Sequence, residues 1–574
     1  MYILGVHDGH NCGASLVQNG IVIYSICEER ITRKKNEVGY PKMSIDEILR
    51  LAKIVPSDLS SVVYASNFMH SKEHLEDVKP WYRVGLKEQR INSKQSTEYK
   101  KNNLKVRTSE RIECVVAHLG VSTDKISFVE HHLAHLSAAY YTRTLTQENN
   151  KSILGITCDG AGDGLSSTVS ICNDNTFDRI SSSSRHESLG KLFSRTTMLM
   201  GMKPWEHEYK LMGLAPYADP DRTEEAVKIF ENILDFDEDN LEFKLVSDLS
   251  TNYIYEYLRD SFQEVRFDVI ASSIQKFTEN MLIKFIKASV KKTGIRDIVC
   301  GGGVFMNVKA NMLIANIPEV NSIHIMPSGG DESLSIGAAL MLYNDNAKKM
   351  PYSCAISNLY LGGVAPDCDK EEELISNLDL NLINIIKPDD IDLEVASLLA
   401  NNNIVARCRG RMEWGARSLG NRSILCSSDN FLMVDKINSM IKVRDFWMPF
   451  APSIIEESYK KYYDDDKNIR PQYMTMAFKC KPETYKDLVS ASHPRDHTIR
   501  PQLVTKKSNP EYYKLIKKYQ ELTGRGVILN TSFNLHGEPI VYSISDAIRV
   551  FLRSGLPYLA LNRHILSKRS ALDY

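Results

Sequence analysis

The sequence predicts an α/β protein of two domains, on three observations: its length, a strand-and-turn pattern that occurs twice in the first half, and glycine-rich loops that follow short apolar strands. A chain of 574 residues is too long for one hydrophobic core, because single cores stop growing near roughly 250 to 300 residues. Ile3-Leu4-Gly5-Val6 enters Asp8-Gly9-His10, a second strand reaches Val17, and Asn19-Gly20 turns it into a third strand through Ile26. Asn-Gly between alternating apolar runs is a strong hairpin signal. Ile153-Leu154-Gly155-Ile156 enters Asp159-Gly160-Ala161-Gly162-Asp163, and a further strand runs from Ser166 to Cys172. Two copies of this pattern point to a duplicated domain with a ligand between its halves, although any two buried strands would look alike on these residues alone.

The loops sharpen the pattern. Asp297 to Cys300 is a short strand entering Gly301-Gly302-Gly303, with Asn307 just beyond, and Ile323 to Met326 is another entering Pro327-Ser328-Gly329-Gly330-Asp331 before a helical pattern through Leu342. Glycines after a strand let backbone amides approach a phosphate, and the N-terminus of a following helix adds a favourable field. Asp163, Gly302, Gly303, Asn307, Gly329 and Gly330 are therefore candidate nucleotide contacts. After Tyr343 the composition turns polar and helix-breaking, which places a boundary near Lys349 and divides the chain into residues 1–348 and 349–574.

Charge and cysteine usage exclude several classes. Lys and Arg number 71 against 72 Asp and Glu, so no broad field draws the protein to nucleic acid or to an anionic membrane. The first residues lack the basic start and long apolar core of a signal peptide, and no apolar run is long enough to span a bilayer. None of the eleven cysteines falls in a Cys-x-x-Cys spacing, against both a zinc finger and a thioredoxin-like pair. A reducing cytoplasm is the expected setting.

Two segments carry chemistry. Glu130-His131-His132-Leu133-Ala134-His135 follows a strand and opens a helix, so His131 and His135 face one cation from the same side. Asp159, Asp163 and Asp331 can complete such a site, whose oxygen and imidazole donors suit Fe(II), Mn(II) or Mg(II); the other reading is a helix with capping or core histidines. In the second half Arg407, Arg409, Arg411, Arg417 and Arg422 cluster among glycines and an aromatic at no amphipathic spacing. Guanidiniums so concentrated repel one another unless an anion or carboxylates share the site, with Lys442, Arg444 and Arg500 as further members. Val527 to Asn534 then runs a strand into Asn530, Thr531 and Ser532, side chains suited to a planar carbamoyl group or a phosphate.

Glu28-Glu29-Arg30-Ile31-Thr32-Arg33-Lys34-Lys35, His131-His132-Leu133-Ala134-His135, Tyr209 to Tyr217, Gly329-Gly330-Asp331, Gly410 to Ser423, Pro449 to Ser453 and Leu529 to Asn534 together resemble the NodU/CmcH family of O-carbamoyltransferases, over both halves and in order. The resemblance implies a duplicated actin-like ATPase (ASKHA) domain fused to a YrdC-like α/β domain. It implies that the second domain makes carbamoyl adenylate from carbamoyl phosphate and ATP, with Mg accompanying ATP, and that the first passes the carbamoyl group to a hydroxyl of a small molecule, by analogy a secondary metabolite. Carried over by position, His131, His135, Asp159 and Asp331 are the Fe(II) ligands. His10 is the general base with Asp8 and Lys35 nearby, and Arg417, Lys442, Arg500 and Asn530 contact carbamoyl phosphate and ATP. The first loop reads His10-Asn11-Cys12-Gly13-Ala14 in place of the family's His-Asp-Ser-Ala. Met448 stands where an arginine usually precedes Pro-Phe-Ala-Pro, so one carbamoyl phosphate contact is either lost or supplied by Arg444. The competing readings are a tRNA-modifying, threonylcarbamoyl-type factor and a non-catalytic nucleotide-binding protein; a homodimer is left open.

Overall fold

The computed structural model describes residues 1–77, 97–143, 152–173, 176–347 and 356–569. They form two units: Met1–Glu28 with Asn36–Ile356, and Glu29–Lys35 with Ser357–Tyr574.

In the first unit β1 (Tyr2–His7), β2 (Gly13–Gln18), β3 (Ile21–Cys27), β4 (Leu59–Ala65) and β5 (Ile126–Val129) make one five-stranded sheet in the order β3-β2-β1-β4-β5. The first three are antiparallel, while β4 runs parallel to β1 and β5 parallel to β4. β6 (Ile153–Gly162), β7 (Leu165–Asn173) and β8 (Thr176–Ser184) start a second sheet. β9 (Leu234–Asp237) and β10 (Glu242–Leu245) form a separate hairpin, and β11 (Asp297–Gly301) and β12 (Ser322–Ile325) complete the sheet in the order β8-β7-β6-β11-β12. Again three antiparallel strands are followed by two parallel ones. The repeated strand-turn-strand pattern is thus a duplicated sheet topology, the arrangement of an actin-like domain. Asn19 and Gly20 take φ +49° and +80°, the left-handed pair that a two-residue turn needs to match strand twist.

Hydrophobic burial fixes the sheet ends relative to their helices. Ile3, Leu4 and Val6 of β1 and Leu154 and Ile156 of β6 are fully buried, so neither strand can slip by one residue without turning a core face to water. Helix His131–Thr142 packs against helix Leu334–Ala347 at Gly337, where a Cβ would lie 1.8 Å from the carbonyl oxygen of Ala134. Only glycine permits that approach, and it sets the histidine-bearing helix beside the one that Asp331 precedes.

The second unit is built on one mixed sheet. Its strands are β13 (Ile383–Ile386), β14 (Val405–Cys408), β15 (Arg422–Cys426), β16 (Ala451–Ile455), β19 (Gln502–Val504), β20 (Val527–Ser532), β21 (Tyr558–Ala560) and β22 (Ile565–Lys568); β17 (Phe478–Lys479) and β18 (Thr498–Ile499) pair apart from it. The order is β13-β22-β21-β14-β15-β20-β16-β19, and helices Ile391–Ala400, Pro510–Thr523 and Ile544–Arg553 cover apolar faces of this α/β layer.

The N-terminal segment Glu29–Lys35 belongs to this second unit, contrary to the division expected from sequence. Arg30 Nη2 donates to the Gly415 carbonyl at 2.8 Å, and Arg33 donates to the Ile540 and Pro539 carbonyls at 2.7 Å each. Two guanidiniums that satisfy backbone acceptors hold the segment there. The boundary expected near Lys349 falls outside the described residues.

Candidate metal and anion sites

Four side chains of the first unit converge. His131 opens its helix behind an N-cap in which Glu130 accepts from the Leu133 amide, and His135 follows one turn later, with ring centroids 4.7 Å apart. Asp159 lies near the end of β6, and Asp331 starts the turn Asp331–Ser333 that leads into helix Leu334–Ala347. One donor atom from each of His131, His135, Asp159 and Asp331 lies within 4.8 Å of all the others. His131 Nε2 is 3.4 Å from Asp159 Oδ2 and 3.9 Å from Asp331 Oδ1, and His135 Nε2 is 3.6 Å from Asp331 Oδ1.

The outer nitrogens show which way the rings are committed. His131 Nδ1 meets Ser66 Oγ at 3.0 Å and His135 Nδ1 meets Ser333 Oγ at 3.3 Å, while both Nε2 atoms are buried without a hydrogen-bond partner. Hydroxyl contacts on one nitrogen, with the other aimed at two carboxylates, make a donor set that could hold a metal ion. Bonds of about 2.0 to 2.2 Å bring opposed donors to within about 4.4 Å, so closure needs a contraction of a few tenths of an ångström. Burial alone would lower the His131 imidazole, yet Asp159, Asp331 and Asp163 outweigh it and push it up to about 9. Burial likewise disfavours ionised carboxylates, but the imidazoles hold Asp159 and Asp331 below the usual carboxylate range.

Neighbouring loops brace this cluster. The Gly303 amide donates to Asp159 Oδ1 at 2.8 Å, fixing one carboxylate oxygen. Asp163 does not present a free carboxylate to a nucleotide: it accepts from the amides of Asn67, Phe68 and His131 at 2.8, 2.9 and 2.8 Å. Asn307 is similarly engaged, capping helix Val308–Ala315 through Ala310 and exchanging two amide hydrogen bonds with Gln275. Gly302 and Gly329 belong to adjoining loops, the Gly302 carbonyl oxygen lying 3.2 Å from a Cβ built at Gly329, and Gly330 precedes Asp331. At Gly162 a Cβ would lie 2.0 Å from His131 Cγ. We therefore expect Gly162→Ala to displace that ring and lower metal affinity by roughly 10- to 100-fold, read by calorimetric titration; unchanged affinity would show that His131 is not a ligand.

His10 and Asp8 belong to the first unit and Lys35 to the second. The His10 ring stacks on Trp205 with centroids 5.0 Å apart and an interplanar angle of 21°, and burial lowers its pKa. Asp8 is buried against Arg111, which donates to both carboxylate oxygens at 2.8 and 2.9 Å and also reaches the Ser66 carbonyl. That bidentate pair makes Asp8 a structural tie for the loop beside His131 rather than a free base. Lys35 lies in the other unit, within electrostatic range of Lys442.

The second unit gathers cations at the end of β20. Lys442 closes the π-type turn Asn438–Lys442, and Val443 then adopts φ +47°, a left-handed conformation that is costly for a β-branched residue. Lys442 Nζ donates to Ser532 Oγ at 3.0 Å and Asn534 Oδ1 at 2.7 Å, and Arg444 donates to Thr531 Oγ1 at 3.1 Å. Burial, with Arg444 and Lys35 close by, pushes the Lys442 pKa well below that of a free lysine. Asn530 is knitted between Ser418, Ser453 and Gln502. Arg417 adjoins Ser418, and Arg500 lies two residues before Gln502; both are partly buried.

The remaining arginines of the cluster have backbone tasks. Arg407 and Arg422 are fully buried and donate to loop carbonyls between Arg409 and Asn421, Arg422 also to Tyr542, and Arg409 pairs with Asp392 at 2.5 Å. Glu413 accepts from the amides of Leu419, Asn421 and Arg422. Of the anion or carboxylates expected to share this crowded charge, the described contacts show carboxylates, with backbone carbonyls beside them.

Comparison with known proteins matches residues 2–340 to the carbamoyltransferase N-terminus and residues 396–568 to the carbamoyltransferase C-terminus. The chain belongs to the carbamoyltransferase family. It is 32% identical over 582 residues to the uncharacterised protein MJ1051 of Methanocaldococcus jannaschii, covering 99% of each chain. It is 28% identical to nodulation protein NolNO of Sinorhizobium fredii, over 99% of this chain and 80% of that one, and 31% identical to nodulation protein NolO of Bradyrhizobium diazoefficiens, over 77% and 79%. This carbamoyltransferase is an enzyme of carbamoyl transfer, and the alternative readings as a tRNA-modifying factor or non-catalytic binder are not favoured. Among its described residues no helix is long and apolar enough to cross a membrane.

Several residues of the carbamoyltransferase escaped sequence reading. Ser333 sits two positions after Asp331 and could have been suspected, whereas Ser66 and Arg111 reach their partners only through β4 and helix Thr97–Leu119, with no local signal. Asn534 ends the motif already noted and was passed over for its neighbours.

Proposed function

We propose that this carbamoyltransferase is an ATP-dependent O-carbamoyltransferase acting on a hydroxyl of a small molecule. The second unit makes the activated donor: water cleaves carbamoyl phosphate to carbamate and phosphate, a carbamate oxygen attacks the α-phosphorus of ATP, and pyrophosphate leaves with carbamoyl adenylate formed. Lys442, Arg444, Arg417 and Arg500 bind the anions, while Asn530, Thr531 and Ser532 orient the carbamoyl group. Arg444, already at Thr531, supplies the contact that Met448 lacks.

In the first unit the acceptor oxygen bonds to the carbamoyl carbon, the bond to AMP breaks, and His10 takes the hydroxyl proton. His131, His135, Asp159 and Asp331 would hold Fe(II), with Mn(II) or Mg(II) as substitutes, whose charge offsets that developing on the leaving phosphate. The observation that carries the reading is the pair of buried, unpartnered Nε2 atoms aimed with two carboxylates at one point. Purified protein given ATP and carbamoyl phosphate should release pyrophosphate only when both are present, and hydroxylated candidates should gain the mass of one carbamoyl group. Pyrophosphate release that ignores carbamoyl phosphate would refute the donor chemistry.

The pH dependence has a defined sign. Burial lowers His10, Asp331 opposes and Lys203 assists that shift. The neutral, proton-accepting form therefore persists below the ordinary histidine pKa of about 6.5, and transfer declines only as pH falls through the lowered value. With metal held at saturation, so that His131 stays unprotonated, a transfer rate measured against pH should keep its acid limb below about 6.5; a limb above that would remove His10 as the base.

A further inference from the structure

Two cations of the first unit have no part in the chemistry above. Helix Leu189–Leu199 is capped by Ser188, whose Oγ also donates to the carbonyls of Asp159 and Gly160, so the helix starts at a metal-binding strand end. Lys191 and Arg195 stand one turn apart on it. Arg195 is 2% exposed, and its Nε and Nη1 have no hydrogen-bond partner. Lys191 donates to Asn252 Oδ1, and among the described residues neither cation pairs with a carboxylate. Tyr253 is the neighbour that acts electrostatically on Arg195, whereas Lys191 feels Arg185 and Arg195 and, in the opposite sense, Asp159.

A buried lysine can shed its proton, and burial with Arg185 and Arg195 nearby lowers Lys191 to about 7. Arginine has no such escape, because its guanidinium stays charged at any physiological pH. A buried charge left without a counter-charge is strongly unfavourable, and a bound anion offsets it. Met198 continues the same helix face three residues after Arg195 and lines a cavity of about 530 Å³ with Met202, Lys203, His207, Lys210 and Tyr255. The methionines give the cavity an apolar wall, and Lys203 and Lys210 are the lysines in its lining.

We propose that Lys191 and Arg195 form an anion subsite of the transfer domain, which binds the phosphate of a small phosphate-bearing reactant whose body enters the Met198–Tyr255 cavity. The subsite rests on the carbamoyl-transfer reading only for the name of that reactant. The phosphate could belong to the adenylate or to a phosphorylated acceptor. Both sources share the chemistry: a guanidinium fork and an ammonium on phosphoryl oxygens, with the Asn252 amide alongside.

Thermal unfolding of the full chain in inorganic phosphate, AMP or adenosine tests this without needing turnover. Phosphate and AMP should stabilise the parent, with Arg195→Met losing about tenfold or more in affinity for each. Without ligand, Arg195→Met should unfold at an equal or higher temperature, because an unpaired buried charge has gone; a structural arginine would give the opposite sign. AMP binding more tightly than phosphate, through Arg195, assigns the site to the nucleotide, and equal affinities assign it to a phosphorylated acceptor. Should Arg195→Met fail to fold, Lys191→Met carries the same comparison. Phosphate affinity unchanged in both variants, or stabilisation by adenosine equal to that by AMP, overturns the proposal. Neither result depends on whether the parent transfers carbamoyl groups, so failure of the transfer reading would be seen separately.

Discussion

His131→Ala is expected to reduce carbamoyl transfer by roughly 10³-fold while carbamoyl phosphate-dependent pyrophosphate release continues. Each half of that expectation has its own cause. The ring is one of two imidazoles whose unpartnered Nε2 atoms meet Asp159 and Asp331, and it is also the closest imidazole contact of Asp159, at 3.4 Å. Removing it leaves Asp159 with the Gly303 amide and without its nearest cationic partner. It also frees the Ser66 hydroxyl, while the backbone amide at position 131 still donates to Asp163. Metal binding and alignment of the leaving phosphate should fail together. Adenylate formation is assigned to Lys442, Arg444 and Asn530, all in the other unit, and should proceed until product accumulates. Equal loss of both steps would contradict two separate centres, and metal content measured on the variant separates loss of the ion from loss of fold.

The sequence revealed the elements that repeat or that hold their chemistry within one helical turn. The duplicated sheet was readable because both copies place an apolar strand before an Asp-Gly loop, and β6 and β11 supply the same parallel neighbour relation that β1 and β4 do. His131 and His135 were readable because helix geometry alone puts them on one face. What stayed hidden depends on distant pairing. Nothing near Asp8 shows that Arg111 will reach both of its oxygens. Asp163 resembled a phosphate-loop carboxylate because a loop aspartate before glycine looks the same whether it faces a ligand or three backbone amides. In the arginine cluster charge density is visible in sequence, but the carbonyls that accept from Arg407 and Arg422 are not. Lys35 was placed by its neighbours in the chain, and only the pairing of Arg30 and Arg33 with carbonyls near Gly415 and Pro539 shows that it belongs to the other unit.

Lys442→Met should abolish adenylate formation, with a loss of at least roughly 10²-fold, and should leave folding stability equal or improved. The ammonium is 3% exposed and its hydrogen-bond acceptors are the neutral oxygens of Ser532 and Asn534. Arg444 and Lys35 raise the local potential further, so burial and repulsion both oppose the charged form. That arrangement is unfavourable until an anion arrives, and a carbamoyl phosphate or ATP phosphate offsets it. The strained Val443, at φ +47°, keeps Lys442 and Arg444 aimed at adjacent residues of β20, Ser532 and Thr531. Methionine keeps the length and apolar stem while removing the charge, so the folded state sheds a desolvation cost that outweighs the hydrogen bonds to Ser532 and Asn534. Pyrophosphate release would then fall to background, while transfer from chemically prepared carbamoyl adenylate would survive. Retained pyrophosphate release would move the anion site away from the end of β20, and a marked drop in unfolding temperature would mean that Lys442 serves the fold instead of the substrate.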